Sequence, residues 1–154
     1  MNQIGLDIPQ SKSLAQKLNA LLANYHIFYI NVRGYHWNIK GDKFFELHLK
    51  FEELYNDIVL KIDEIAERVK TLGETPLHTF TDYLQISAIT ETKNVSDGKT
   101  AAQYILDSLK QLLMLQREIL SLSADANDEG TNALMSDYIR AQEKMVWMYN
   151  AYLS

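Results

Sequence analysis

The residues best suited to chemistry in this chain are two histidines and three carboxylates: His36, His48, Glu52, Asp63 and Glu67. Imidazole nitrogen and carboxylate oxygen form a mixed donor set that suits Fe(II), and equally Zn(II), Mn(II) or Co(II); affinity order alone does not choose among them. His48 and Glu52 are four residues apart, as are Asp63 and Glu67, so on a helix each pair shares a face and can reach one ion. The two pairs lie fifteen residues apart, about 22 Å of helix, so no single ion touches both. Two arrangements satisfy that spacing. Either the pairs are unrelated, or a two-fold partner lays its copy of the helix antiparallel and brings its own Asp63 and Glu67 to His48. The second arrangement makes two equivalent sites per dimer. The plain alternative is structural: satisfied histidines, solvated helix glutamates and a salt-bridged DEIAER face.

One long helix must position four of the five. It is predicted from Asp42, which caps its start, to Gly73, which ends it, with no proline between. Leu47, Phe51, Leu54, Tyr55, Ile58, Ile62, Ile65, Val69 and Leu72 recur at three- and four-residue steps as its apolar face. Lys50, Glu53, Asp57, Lys61, Glu64 and Arg68 fall opposite and are expected in water, while His48, Glu52, Asp63 and Glu67 border the core stripe. His36 sits near the end of an earlier helix, over about 10–38, opened by Pro9 and carrying Gly34 as a sign of close packing. The short turn at Asn38–Gly41 makes the two helices antiparallel and brings both imidazoles toward one point.

The rest completes an all-α pattern. A connection of about 25 residues after Gly73 is too long for a bare loop, and TFTDYLQIS within it reads as a short helix. A third long helix runs from Ser96–Asp97 to about Ala124, and a fourth from Thr131 through Tyr152, separated by the acidic turn ADANDEGT. This is the connectivity of a ferritin-like four-helix bundle with one long crossover carrying a short extra helix, expected as a single domain over 1–154. Bundles that hold an intrachain di-iron centre use Glu-x-x-His pairs. Here Glu46 precedes His48 by two residues and Glu74 precedes His78 by four, so no such centre is expected.

Composition narrows the class further. Hydrophobic residues make up 47% and there are only six glycines and two prolines, so the chain should fold around a core. With no cysteine it has neither disulfides nor thiolate metal sites, which suits a reducing cytosol. No basic-then-apolar leader opens the sequence, and no window approaches the roughly 18 apolar residues of a membrane span; a soluble, cytoplasmic protein is expected. A formal charge of −5 argues against a general nucleic-acid binder.

His36-Trp37, Gly41, Phe44 or Phe45, Leu47-His48, Phe51, Tyr55, Asp63-Glu64-Ile65-Ala66-Glu67-Arg68 and Leu72-Gly73 together resemble the signature of Dps, the mini-ferritins that protect DNA in starved cells. Lys144-Met145-Val146-Trp147-Met148 is similar to that family's last helix. The resemblance implies a hollow dodecamer of four-helix bundles with ferroxidase sites at two-fold interfaces. By matching position, His36, His48, Asp63 and Glu67 are then the catalytic iron ligands. Glu52 stands where the family often has Asp, one methylene longer. Iron is the implied metal, at an intersubunit site, with hydrogen peroxide as oxidant and ferric mineral stored in the cavity. Trp37 adjoins a ligand and is implied as an electron donor. Asp125, Asp128 and Glu129 fall where the family places acidic three-fold pores.

DNA binding is where the sequence departs from the family name. Members that bind DNA do so through a Lys/Arg-rich tail, with affinity from phosphate neutralisation. The first ten residues contain no Lys or Arg, with only Lys12 and Lys17 soon after. A gel shift at physiological salt and neutral pH is expected to show free DNA; a retarded complex would overturn this reading.

Overall fold

The computed structural model describes residues 1–154 and is built from five helices. They are α1 (Ile8–Asn38), α2 (Phe44–Thr71), α3 (Phe80–Ile86), α4 (Gly98–Asp125) and α5 (Glu129–Leu153). The hairpin of α1 and α2 packs on the hairpin of α4 and α5, and the crossover carries α3 along α1. Tyr25, Phe28, Phe51, Ile58, Ile105 and Leu109 are among the fully buried side chains between the hairpins. The expected ferritin-like bundle with a helical crossover is the fold observed.

Most helix boundaries follow from capping. Asp7 accepts from Gln10 N–H at 3.0 Å, Asp97 from Thr100 N–H at 2.9 Å, and Thr79 from Asp82 N–H at 3.2 Å. Gly73, at φ 95°, ends α2: its N–H meets Lys70 C=O and Glu74 N–H meets Val69 C=O, a pairing that favours a residue without Cβ. Asp42 does not cap α2. The N-cap is Lys43, which makes no side-chain cap bond, because the chain enters the helix through a turn in which Phe44 N–H bonds Gly41 C=O. Gly34 has nothing within 4 Å of where a Cβ would stand, so it marks no close packing.

The α4–α5 turn does more than its acidic composition suggests. Asn127, at φ 56°, stands where Gly73 stands in α2, and Asp128 N–H closes α4 on Ser123 C=O at 2.8 Å. The Asp128 carboxylate then caps α5, accepting from Thr131 N–H at 3.0 Å. That helix therefore starts two residues earlier than expected, and Thr131 lies inside it. Arg68 of α2 donates to Asp128 at 2.6 Å and to Thr131 Oγ1 at 2.9 Å. Arg68 is thus half-buried in an ion pair instead of facing water. Lys61, also expected in water, is only 8% exposed and is paired with Asp57 at 2.7 Å.

Three asparagines of α1 hold the crossover. Asn19 Oδ1 accepts from Leu77 N–H, Asn24 Oδ1 from Ala88 and Ile89 N–H, and Asn31 Oδ1 from Thr92 N–H, all at 2.9–3.0 Å. Each side-chain amide stands in for a strand partner, so four backbone donors of the irregular segment are satisfied against the bundle. Asn24→Ala leaves two N–H groups unpartnered and should destabilise by about 2 kcal/mol in urea unfolding. A change under about 0.5 kcal/mol would show that water replaces the amide.

His26 stacks on Tyr83 where α1 meets α3, ring centroids 4.0 Å apart, and burial lowers its pKa below the ordinary 6.5. The unfolded chain therefore binds the proton more readily. This contribution is complete above pH 6.5 and is lost as pH falls through the lowered folded value. The unfolding midpoint should drop between about pH 7.5 and 5.5. His26→Phe, which keeps the stack, should flatten part of that drop; an unchanged slope contradicts the assignment.

Candidate metal centre

The end of α1 and the start of α2 bring His36 and His48 together face to face, ring centroids 3.8 Å apart and planes 12° apart. His36 Nδ1 lies 2.7 Å from the carbonyl oxygen of His48, and His48 Nδ1 lies 2.7 Å from the carbonyl oxygen of His36. A carbonyl only accepts, so both Nδ1 atoms carry hydrogen and both Nε2 atoms carry a lone pair in the neutral ring. This is the support that ligating histidines need, with the far ring nitrogen anchored and the tautomer fixed. Neither Nε2 is sealed away: the buried unpartnered side-chain atoms are Arg33 Nε and the hydroxyls of Tyr138 and Tyr149.

Aromatic packing holds the pair in place. Phe44 stacks on His48 at 5.0 Å and Tyr55 meets the edge of His36 at 5.2 Å. Glu52, half-buried, follows His48 by one turn. Trp37 is 59% exposed and covers the Arg33 guanidinium, whose central carbon is 4.9 Å from its ring.

Asp63 and Glu67 do not join the histidines within the chain. Both are exposed further along α2 and make no ion pair there. No group of three or more histidines and carboxylates converges on one point anywhere in the chain. The bundle centre is filled differently. Tyr25 donates to Gln116, Gln116 to Gln142 at 2.7 Å, and Gln142 back to Tyr25 at 2.5 Å, closing a ring of three buried side chains from α1, α4 and α5. Burial raises the Tyr25 phenol far above its ordinary range, so it stays a neutral member of that ring. Lys61 Nζ stands 5.1 Å from the Tyr138 ring, placing a cation in the same interior.

Of the acidic-turn residues, Asp125 and Glu129 are exposed, but Asp128 is 2% exposed and committed to Arg68 and the α5 cap. Its carboxylate is not free to line a pore. Sequence reading also passed over Arg33, whose one available signal is its position a single turn before His36.

A family model for the ferritin-like domain matches residues 15–154. The chain is 57% identical over 148 residues to an uncharacterised protein of Haemophilus influenzae, covering 96% of this chain and 92% of that one. It is 37% identical over 148 residues to the DNA protection during starvation protein of Porphyromonas gingivalis, covering 96% and 93%. Its fold matches the crystal structure of a Dps protein from Vibrio cholerae O1, a member of a broad superfamily of ferritin-like diiron-carboxylate proteins. There the TM-score is 0.99 at 56% identity, over 100% of this chain and 97% of that one. A Dps protein from Bacillus brevis gives a TM-score of 0.92 at 30% identity, over 95% and 98%. The chain belongs to the Dps family of ferritin-like proteins.

Proposed function

We propose that the protein is a ferroxidase and iron-storage mini-ferritin. It oxidises Fe(II), preferably with hydrogen peroxide, at sites shared between two copies of the chain, and stores the ferric product inside a dodecameric shell. The observation that carries this reading is the reciprocal Nδ1–carbonyl pairing of His36 and His48, which presents two Nε2 lone pairs at one place. Two imidazoles alone hold redox-active iron weakly, and the carboxylates that complete the set, Asp63 and Glu67, are unpaired in their own chain. An antiparallel two-fold partner supplies them. Membership of the Dps family and the likeness to a ferritin-like diiron-carboxylate protein support the same metal.

The chain's own part is to hold iron and leave coordination positions open to the oxidant. Two Fe(II) ions each give one electron; peroxide takes both with two protons and leaves as two waters. Glu52 supplies the weaker second position, and Trp37 stands beside a ligand as a donor when only one iron is present. Asp125 and Glu129 draw cations toward the shell, an attraction that salt weakens. DNA binding and compaction is the second reading, and the name of the Porphyromonas relative speaks of DNA protection; a charge of −5 per chain opposes it.

Single alanine replacements of His36, His48, Asp63 and Glu67 should each slow peroxide-dependent Fe(II) oxidation at least tenfold, since even outer-shell losses cost about 10–100-fold. Size-exclusion profiles of the His36 and His48 variants should not change. Wild-type oxidation rates in the Asp63 and Glu67 variants would remove the intersubunit site.

A further inference from the structure

Arg33 differs from the other three arginines of the chain. Arg68, Arg117 and Arg140 hold carboxylates at 2.6, 3.0 and 2.9 Å. Arg33 has no carboxylate within 4.0 Å. Its guanidinium is instead caged by Tyr29, Trp37 and Tyr55, at 5.8, 4.9 and 5.2 Å from the ring centroids. Nη1 donates to the Tyr29 hydroxyl, but Nε is buried and donates to nothing. Aromatic faces attract the cation without offering an acceptor in the plane of its N–H groups, so the guanidinium remains short of an anion.

Its position says where that anion comes from. Arg33 lies one turn before His36 on α1, and the Tyr55 ring that flanks the guanidinium also meets His36 at 5.2 Å. The unsatisfied cation therefore stands beside the histidine pair. Asp63 and Glu67 are the complement: exposed carboxylates with no cation of their own.

We propose that Arg33 is a positioning residue of the shared site, its Nη2, which is neither buried nor hydrogen-bonded, receiving a carboxylate of the Asp63–Glu67 pair from a second copy of the chain. This rests on the intersubunit reading above. The pairing holds the carboxylates over the histidines before metal arrives and offsets their mutual repulsion while the site is empty. Lysine keeps the charge but not the planar group that lies against Trp37, so it is an incomplete substitute.

The test is a double-mutant cycle on self-association in EDTA, read by mass photometry, with helicity checked by circular dichroism. Arg33→Gln is crossed with Asp63→Asn and, separately, with Glu67→Gln. Arg33→Gln should raise the dissociation constant about tenfold or more. Arg33→Lys should recover part of that loss. In at least one cycle the double variant should lose no more than the worse single variant. Additive losses in both cycles, or a wild-type chain that stays monomeric, overturn the proposal. Fe(II) and peroxide turnover by the wild-type assembly separates the two readings. Turnover with additive cycles removes Arg33 and keeps the iron site; coupled cycles without turnover keep the pairing and remove the iron chemistry.

Discussion

Each of the two imidazoles is anchored by the other's backbone carbonyl, and the rest of the site follows from that exchange. The His36 carbonyl lies in the last turn of α1, where carbonyls lack an intrahelical partner, and the His48 carbonyl lies near the start of α2, where a second lone pair is open to the imidazole. Stacking at 3.8 Å fixes the ring planes, and Phe44 and Tyr55 close off two sides. What is left open is the Nε2 edge. An ion bound there has two nitrogens from one chain and lacks the charge-neutralising oxygens that Fe(III) needs, so the site asks for carboxylates from elsewhere.

On the proposed reading they come from a second copy of the chain. Asp63 and Glu67 share α2 with His48 but stand about 22 Å along it, a separation no side chain bridges. The interior of the bundle, where other ferritin-like proteins gather carboxylates on facing helices, holds the Tyr25–Gln116–Gln142 ring and the Lys61 ammonium. A neutral closed ring and a cation make poor ligands. The inner positions thus serve packing and register, which is consistent with the proposed metal site lying at the ends of α1 and α2.

The sequence was legible where short-range rules apply. Apolar period, the Asp97 cap, Pro9 at the head of α1 and Gly73 at the foot of α2 all act within a turn or two, and the helices appear where those signals put them. The four-residue step from His48 to Glu52 is likewise local. Arg68, Lys61 and Asp128 read as solvent-facing from charge alone because their surroundings come from distant parts of the chain: Arg68 meets Asp128 across sixty residues, and Lys61 lies over the Tyr138 ring of α5. Asn19, Asn24 and Asn31 gave no warning either, since a helical asparagine looks neutral until the backbone it receives is in view. The histidine pair was half-legible: antiparallel helices predicted the approach, but the mutual carbonyl bonds needed coordinates.

A single diffraction experiment reaches the centre of this account. Crystals of the assembled protein soaked in Co(II) or Fe(II) and measured at the metal's absorption edge should show the ion bound by Nε2 of His36 and His48 from one chain and by carboxylate oxygens of Asp63 and Glu67 from its two-fold mate. An ion whose protein ligands all come from one chain, or one lying inside a bundle, contradicts it.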